Sequence, residues 1–323
     1  MTVKCGKTVV IGAGFVGSAV LNAMLRVGTA NEIVLIDIDR EKALGEVIDS
    51  SHTTAFTGSN NTAIRVGDYS DCADAQLIVM TAGQSVKPGA PSGADHRMQL
   101  LETNIGVMRE VMREVSAVTS EAIIVVVSNP VDVLVHVAQS EFNYPRHKLF
   151  GTGTLVDTAR FNKILADICG VDAKDVTGLV LGEHGTHAFV EWDRVNIAGI
   201  PFHELEKEFE LPAPLDKKEL MAKVKGAGMQ ILARKGYTSA GIALSVCRIA
   251  SAIVHNERCI LPVSIELEGE YGLEGVALSL PCIISGQGVE RVFELGLSQE
   301  SRQALEDCTT YLKEMTAKGM GAR

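Results

Sequence analysis

A glycine-rich turn near the start of the chain constrains the fold more than any other feature. The segment Gly12-Ala13-Gly14-Phe15-Val16-Gly17 follows an apolar run, Thr8 to Ile11, and precedes apolar residues at helical spacing. Asp37 stands twenty residues after Gly17, near the end of the next apolar run. A G-x-G-x-x-G turn between a strand and a helix, with an acidic residue at that distance, is typical of a dinucleotide-binding βαβ unit. The sequence therefore predicts a parallel sheet that begins with this unit.

Short apolar runs alternate with helical patterns through the first half of the chain. The runs Ile33 to Ile38, Ala63 to Val66, Gln76 to Met80 and Ile123 to Val127 have the length and composition of buried strands. A loop from Gly83 to His96, broken by Gly and Pro, precedes a long helical pattern. Strands that alternate with helices form βαβ units, and their strands are apolar throughout because helices cover both faces of the sheet. This pattern predicts the α/β class, with a Rossmann-type doubly wound parallel sheet.

The alternation weakens after about Phe150. The remaining sequence mixes helices, such as Lys217 to Lys235 and a last helix that begins near Ser298, with shorter strand-like runs. A chain of 323 residues is also too long for one ordinary core. We therefore expect a dinucleotide-binding domain at residues 1–150 and a second, mixed α+β substrate domain at residues 151–323.

Composition and charge narrow the class of protein. The net charge of −10 disfavours nucleic acid as a partner, because such binding depends on Lys and Arg contacts to phosphates. No apolar stretch is long enough for a membrane span, and the first residues lack the shape of a signal peptide. The seven cysteines have no CxxC spacing, which indicates free thiols rather than disulfides or a zinc site. These features predict a cytoplasmic protein without a metal, a nucleic-acid partner or a membrane partner.

Each glycine of the turn has a distinct physical role. Gly12 permits the tight turn, Gly14 lets the backbone approach a pyrophosphate, and Gly17 allows close packing of helix against strand. The helix N-terminus offers unpaired N–H groups and the positive end of its dipole to phosphates. Asp37 is placed to accept hydrogen bonds from the adenine ribose, and its charge repels a 2′-phosphate, which favours NAD over NADP. Arg40 lies nearby and is interpreted first as an exposed charge.

A second group of residues has the chemistry that reduction of a carbonyl requires. His184 stands between glycines in Leu181-Gly182-Glu183-His184-Gly185, which leaves room for a substrate beside its ring. Asp157 and Arg160 are three residues apart and share a helix face, where a plain ion pair is the alternative interpretation. Arg97 follows the loop broken by Gly and Pro. Asn129 ends a strand at the edge of the sheet where ligands bind in open α/β folds.

Motifs along nearly the whole chain resemble those of the L-lactate/malate dehydrogenase family, and most closely its L-lactate (L-2-hydroxyacid) dehydrogenases. Besides the glycine turn, the matching segments are Thr81-Ala82-Gly83, Val127-Ser128-Asn129-Pro130-Val131-Asp132, Gly151-Thr152-Gly153, Asp157-x-x-Arg160-Phe161, Gly182-Glu183-His184-Gly185, Lys235-Gly236-Tyr237-Thr238-Ser239 and Ser279-Leu280-Pro281. They occur in the family's order. The resemblance implies an NAD-dependent oxidoreductase that acts on the CH–OH group of 2-hydroxy acids, with pyruvate and L-lactate as the expected substrate pair.

The resemblance also implies a role for each candidate residue. His184 is expected to be the acid/base, Asp157 to hold its ring, and Arg160 to grip the substrate carboxylate with two parallel hydrogen bonds. Arg97 is expected to stabilise charge that develops on the substrate oxygen. Three further residues are expected at the substrate: Asn129, Val86 and Thr238. The cofactor is expected to meet a set of turn and strand-end residues, namely Gly12, Gly14, Phe15, Val16, Gly17, Asp37, Thr81, Ala82, Gly83, Asn104, Ser128 and Asn129.

The chain departs from these relatives at several positions. The loop from Gly83 to Arg97 is several residues longer than usual. Val86 stands where lactate dehydrogenases usually have Gln and malate dehydrogenases Arg. Ala240-Gly241 stands where many lactate dehydrogenases have an aromatic residue and then a small one. We therefore expect apolar 2-oxo acids to be preferred over oxaloacetate, and chains larger than the methyl of pyruvate to be accepted.

Regulation and assembly are less constrained by the sequence. Relatives that fructose 1,6-bisphosphate activates use an Arg and a His at the positions of Asn162 and Thr177, so no such activation is expected. The bond before Pro130 is expected to be cis, as in relatives. A homotetramer or a homodimer is expected. The identity of the 2-hydroxy acid stays open.

Two alternatives of other kinds also stay open. A malate dehydrogenase is one, because Lys87 or His96 in the longer loop can supply a positive charge to a second substrate carboxylate. An NAD-binding sensor or structural protein without turnover is the other. Such proteins tend to lose catalytic residues, whereas this chain keeps the whole set of Arg97, Asp157, Arg160 and His184.

Overall fold

The computed structural model describes residues 6–56, 60–85 and 94–321, with the backbone alone for residues 94–99. Strands and helices alternate in the first half. The elements there are β1 (Lys7–Ile11), α1 (Phe15–Val27), β2 (Glu32–Ile36), α2 (Arg40–His52), β3 (Ala63–Val66), β4 (Leu77–Met80), α3 (Ala94–Val118), β5 (Ile123–Val126), α4 (Val131–Phe142) and β6 (Leu149–Gly151).

The six strands of this half form a parallel sheet in the order β3-β2-β1-β4-β5-β6. This is the doubly wound dinucleotide-binding order, in which the order of the parallel strands reverses between β1 and β4. The central strands are buried on both faces, as Val9, Val10 and Val79 show with no exposed surface. Their continuous apolar sequences therefore follow from helices packed on both sides. The predicted fold class is confirmed.

The helices begin and end where local chemistry requires it. Gly28 ends α1 in the left-handed region at φ 77°, where its N–H donates to the Met24 carbonyl. Apolar residues that recur at helical spacing along α3 are buried, including Ile105, Met108 and Met112.

The second predicted strand was too long. The pairing of β2 ends at Ile36, because the side chain of Asp37 turns to bind backbone N–H groups of neighbouring residues. Ile38 is therefore fully exposed instead of buried in the sheet. The apolar run alone could not reveal this end, since Ile is as common in strands as the residues before it.

The second half holds eight strands and five helices within the described residues. They are α5 (Leu155–Cys169), β7 (Val176–Thr177), β8 (Val180–Leu181), β9 (Phe189–Val190), β10 (Asn196–Ile197), β11 (Ile200–Pro201), α6 (Leu205–Glu208), α7 (Lys217–Lys235), α8 (Ala240–Val254), β12 (Cys259–Glu268), β13 (Glu274–Ser285), β14 (Gly288–Val292) and α9 (Gln299–Gly321). Strands β12 and β13 are longer than any strand of the first half, contrary to the shorter runs expected there. The bounds predicted for α7 match, and Ser298 precedes α9, where its hydroxyl accepts from the Ser301 N–H.

The large sheet continues from the parallel strands into the second half. Strand β12 pairs antiparallel with β6 at Gly151, and β13 and β14 follow in order. A separate core, with the buried Phe161 and Leu165 of α5, packs around the two small sheets. Because one sheet crosses residue 150, the predicted division into two domains stays a prediction. None of the helices in the described ranges is long and apolar enough to cross a membrane.

Candidate active site

Three loops meet at the carboxyl edge of the parallel sheet. Residues 12–17 follow β1, residues 81–83 follow β4, and Ser128 and Asn129 follow β5. Strands β1 and β4 are neighbours, and this is the point at which the strand order reverses. A crevice forms at such a point because the connections on the two sides diverge to opposite faces of the sheet. The predicted cofactor and substrate residues are therefore gathered at one edge.

The glycine turn has the geometry that a dinucleotide phosphate requires. Gly12 has φ 106°, and a Cβ on it would lie 2.7 Å from the backbone N of Ala82. A Cβ on Gly17 would collide with the Gly12 carbonyl, so the start of α1 packs directly on the turn. A Cβ on Gly14 would meet nothing within 4 Å. The turn is thus tightly packed at Gly12 and Gly17 and open at Gly14, which fits the approach of a pyrophosphate to the backbone there.

The first turn of α1 is free to bind an anion. Gly14 precedes the helix and supplies no side-chain cap, and the turn contains no acidic residue. Its backbone N–H groups therefore need an acceptor from outside the helix, and the helix dipole favours a negative one. The residues here fit the phosphates of NAD.

Asp37 lies at the end of β2 beside this turn. One of its carboxylate oxygens accepts from the Ala13 N–H at 2.5 Å, and the other accepts from the Asp39 N–H at 2.8 Å. The carboxylate is thus fixed against the glycine turn. Arg40 donates to the Gly67 carbonyl at 3.4 Å, as an exposed contact. The charge beside the turn is therefore negative, which suits the ribose of NAD and opposes a 2′-phosphate.

Several predicted cofactor residues bind protein groups with their side chains. The Thr81 hydroxyl donates to the Gly12 carbonyl at 2.9 Å, and the Ser128 hydroxyl donates to the Ala82 carbonyl at 2.5 Å. The buried Asn104 amide donates to the Asn129 carbonyl at 2.6 Å. These side chains brace the loops against one another, so any contact they make with a cofactor is additional to that role.

His184, Asp157 and Arg160 form one connected group. The His184 Nδ1 lies 2.5 Å from one carboxylate oxygen of Asp157. An Arg160 guanidinium N–H donates to the other oxygen at 2.8 Å. Asp157 is therefore shared, and it fixes the imidazole and the guanidinium together. The predicted helical ion pair and the predicted partner of His184 are both present in this arrangement.

Burial and charge act in opposite directions on this group. Burial lowers the pKa of His184, but the charge and hydrogen bond of Asp157 outweigh it, so the pKa of the imidazole lies above its ordinary value. Burial likewise raises the pKa of Asp157, but His184 and Arg160 outweigh it, so the pKa of that carboxyl lies below its usual range. A proton in this group is therefore held on the imidazole.

A cavity of about 400 Å³ opens beside the imidazole. Five of the predicted residues line it: Val16, Asn129, Arg160, His184 and Thr238. Ala240 and Gly241 form part of the same wall. Arg97 lies in the helical backbone at the start of α3, and Val86 lies outside the described residues. In the described parts of the chain, no three His, Cys, Asp or Glu side chains are grouped to hold a metal ion.

Two further contacts were not predicted from the sequence. The Asp132 carboxylate accepts from the backbone N–H of His184 at 2.8 Å, although the two residues are 52 positions apart. The rings of Phe15 and Tyr237 stack at a centroid distance of 4.0 Å, joining the glycine turn to the loop between α7 and α8. Asp132 belongs to a motif that carried the resemblance, but nothing in its local sequence indicates a partner on another loop.

Comparisons with known proteins agree with this geometry. Residues 6–151 match the model for the lactate/malate dehydrogenase NAD binding domain, and residues 154–322 match the model for the lactate/malate dehydrogenase alpha/beta C-terminal domain. The chain is 49% identical over 309 residues to L-lactate dehydrogenase 2 of Clostridium acetobutylicum, which covers 96% of each chain. It is 42% identical to L-lactate dehydrogenase of Selenomonas ruminantium, over 93% of each chain. The ligand-bound crystal structure of a minor L-lactate dehydrogenase from Enterococcus mundtii superposes with a TM-score of 0.90, at 38% identity and 98% coverage of each chain.

Proposed function

Because this chain belongs to the lactate/malate dehydrogenase family, we propose that it is an NAD-dependent L-lactate dehydrogenase, which interconverts pyruvate and L-lactate. The observation that carries the proposal is the connected group of His184, Asp157 and Arg160 beside the cavity. It combines a proton donor with a cation for a carboxylate, and these are the two groups that a 2-oxo acid requires. The cofactor supplies the hydride when it is bound.

His184 is the proposed acid/base. Its Nδ1 is held by Asp157, which leaves Nε2 as the nitrogen that exchanges a proton with the substrate oxygen. Since Asp157 favours the charged imidazole, His184 is ready to donate in the direction of pyruvate reduction. The neutral imidazole accepts the proton in the direction of lactate oxidation.

Arg160 is the proposed anchor for the substrate carboxylate. Asp157 engages one of its nitrogens, which fixes the plane of the guanidinium while its other N–H groups stay available to a ligand. Gly228 on α7 lies beside it without a side chain, so the wall there leaves the guanidinium unobstructed. We further propose that Arg97 stabilises the substrate oxygen and that Asn129 and Thr238 orient the substrate, as the resemblance implies.

The side-chain end of the substrate is proposed to face apolar residues. Val156, Ala240 and Gly241 line the cavity there, and none of them carries a charge. A second carboxylate, as in oxaloacetate, would lose its hydration against these three residues without gaining a cation from them. We therefore propose that apolar 2-oxo acids are preferred, including chains larger than that of pyruvate. The malate dehydrogenase alternative requires a cation at this end of the substrate, and among the described residues Lys163 and Lys235, which line the same cavity, are the candidates for it.

Assembly and location are part of the proposal. Leu44 and Ile48 lie one turn apart on α2 and are 42% and 50% exposed, which supports a homodimer or homotetramer that covers them. The six cysteines within the described ranges are free, in keeping with the proposed cytoplasmic location. Light scattering during size-exclusion chromatography measures the oligomeric state. A monomer at all concentrations would contradict the proposed homodimer or homotetramer.

Steady-state kinetics tests the function. NADH oxidation is followed with pyruvate, 2-oxoisocaproate, phenylpyruvate and oxaloacetate. We expect turnover with pyruvate and the other apolar acids, and far lower efficiency with oxaloacetate. The absence of turnover with every acid, while NADH still binds, would favour the non-catalytic sensor. A catalytic efficiency with oxaloacetate equal to or above that with pyruvate would favour malate dehydrogenase. The Val86→Arg variant is expected to shift the substrate preference toward oxaloacetate.

A further inference from the structure

Asp132 is a buried carboxylate that the proposed catalytic group does not include. It lies in the first turn of α4 and is 3% exposed. One oxygen accepts from the backbone N–H of His184 at 2.8 Å, and the other accepts from the Ser264 hydroxyl at 2.6 Å. Within the described residues, no Lys or Arg forms an ion pair with it. Burial of a carboxylate without a paired cation costs free energy, so a structural or functional role is expected for it.

The contact with His184 fixes the loop on which the imidazole stands. On one side of His184, Gly182 exchanges backbone hydrogen bonds with Ser279 of β13, both at 2.9 Å. The Glu183 carboxylate accepts from the His187 N–H at 2.8 Å, which closes the loop across His184. Asp132 holds the backbone of His184 within this loop. His184 is thereby attached at its backbone to α4 and at its ring to Asp157 of α5.

The charge of Asp132 also enters the balance around the imidazole. Asp132 and Asp157 are two negative charges beside His184, and Arg160 supplies one positive charge. A protonated imidazole makes this group of four neutral. A neutral imidazole leaves one negative charge uncompensated in a largely buried site. Removing the charge of Asp132 therefore weakens the preference for the protonated ring.

Other ionisable groups face this site, and most of them are already engaged or neutral. They are Arg160 on α5, Glu183 and His187 on the loop, Lys225 on α7 and Cys308 on α9. Arg160 is bound to Asp157, and Glu183 is bound to His187. Burial holds the pKa of the Cys308 thiol well above its usual value, so it stays uncharged. Within the described residues, Lys225 forms no hydrogen bond or ion pair with Asp132 or His184.

We propose that Asp132 is a positioning residue for His184, which fixes the backbone of the acid/base and favours its protonated form through a second negative charge. This inference rests on the proposed function of His184. It predicts that the protonation of His184 depends on Asp132 as well as on Asp157. Burial raises the pKa of Asp132 itself to about 6, so the carboxylate is charged at neutral pH and loses its charge in mild acid.

The first test compares pH profiles of kcat/KM for Asp132→Asn and the parent. Asparagine keeps the shape and an acceptor oxygen but removes the charge. The alkaline limb of pyruvate reduction and the acid limb of lactate oxidation should both move to lower pH, by roughly half a unit, less than the 1–3 units of a directly paired charge. We expect kcat to fall several-fold, with little change in KM for pyruvate, because Arg160 still binds its carboxylate.

Two control variants separate charge from stability. Ser264→Ala removes the other hydrogen bond to Asp132 but keeps its charge, so the alkaline limb should stay in place. Tyr144→Phe removes a buried hydrogen bond to the Ala122 carbonyl, and neither residue lines the cavity, so stability should fall without any movement of the profile. An Asp132→Asn profile that superposes on the parent would overturn the proposal. So would an equal shift in Ser264→Ala, because the charge would then not be the cause.

A titration of the parent chain does not depend on whether Asp132→Asn folds, because the only variant it uses, His184→Asn, serves to assign one resonance. The imidazole resonance of His184, identified by its loss in His184→Asn, is followed by NMR as the pH is changed. Because the two groups are coupled, we expect a second, smaller inflection near pH 6, where Asp132 takes up its proton. A single inflection would contradict the proposal. This readout does not involve turnover, so it also separates failure of the inference from failure of the proposed function.

Discussion

Replacement of Arg160 by lysine tests the geometry of the proposed carboxylate site directly. The guanidinium is proposed to serve two partners at once: one N–H donates to Asp157 at 2.8 Å, and the residue lines the cavity in which the substrate carboxylate is proposed to bind. A lysine ammonium keeps the charge but is a single point, so it cannot hold Asp157 and also form two parallel bonds to a substrate carboxylate. We therefore expect Arg160→Lys to weaken substrate binding although the charge is conserved.

The size of the effect follows from the hydrogen bonds lost. One charge-assisted hydrogen bond contributes roughly 1.5–3 kcal/mol. Since about 1.4 kcal/mol corresponds to a factor of ten, loss of one such bond lowers kcat/KM for pyruvate by about 10- to 150-fold. Most of the loss should appear as a higher KM. The affinity for NADH should be unchanged, since the glycine turn is not altered.

Steady-state kinetics with pyruvate and a fluorescence titration with NADH measure these two quantities. Arg109→Lys is the matched control: Arg109 donates to both carboxylate oxygens of Glu141, at 2.8 and 2.6 Å, but does not line the cavity. That variant should keep the parent efficiency. An Arg160→Lys variant within threefold of the parent would show that two parallel bonds to the substrate are not needed.

Three other outcomes follow from the same site. His184→Asn should lower turnover by about 10²- to 10⁴-fold while NADH still binds, because an amide cannot deliver a proton at neutral pH; a rate near that of the parent would remove His184 from its role. NADH should be strongly preferred over NADPH, and Asp37→Ser should narrow the preference, as measured by kcat/KM for each cofactor. Fructose 1,6-bisphosphate should leave the KM for pyruvate unchanged, since Asn162 and Thr177 offer no cation to a phosphate; a large fall in KM would contradict this.

The local sequence was sufficient for the elements that form the parallel sheet. Every apolar run except that of β3 is followed by an α-helix, and the period of the apolar residues changes at the glycine turn from that of a strand to that of a helix. The pattern therefore predicted the doubly wound sheet and the place of the cofactor before any contact was known. The run through Ile38 failed because the end of β2 depends on the side-chain contacts of Asp37, which hydropathy does not record.

The composition of the proposed catalytic group also came from the sequence, through motifs whose residue types fit one reaction. Its arrangement came only from the tertiary structure. The sequence left open whether Asp157 and Arg160 were a helical ion pair or partners of His184, and the folded chain shows Asp157 bound to both.

Contacts between distant segments were decided by the tertiary structure alone. Asp132 and His184 are 52 positions apart, and Ser264 is 132 positions from Asp132. The stack of Phe15 on Tyr237 joins two loops from opposite halves of the chain. Periodicity reports which face of a helix or strand is buried, but it carries no information on which other segment covers that face. A buried polar group finds its partner only when the topology brings the two loops together, and for this reason the support of His184 by Asp132 appears only in the folded protein.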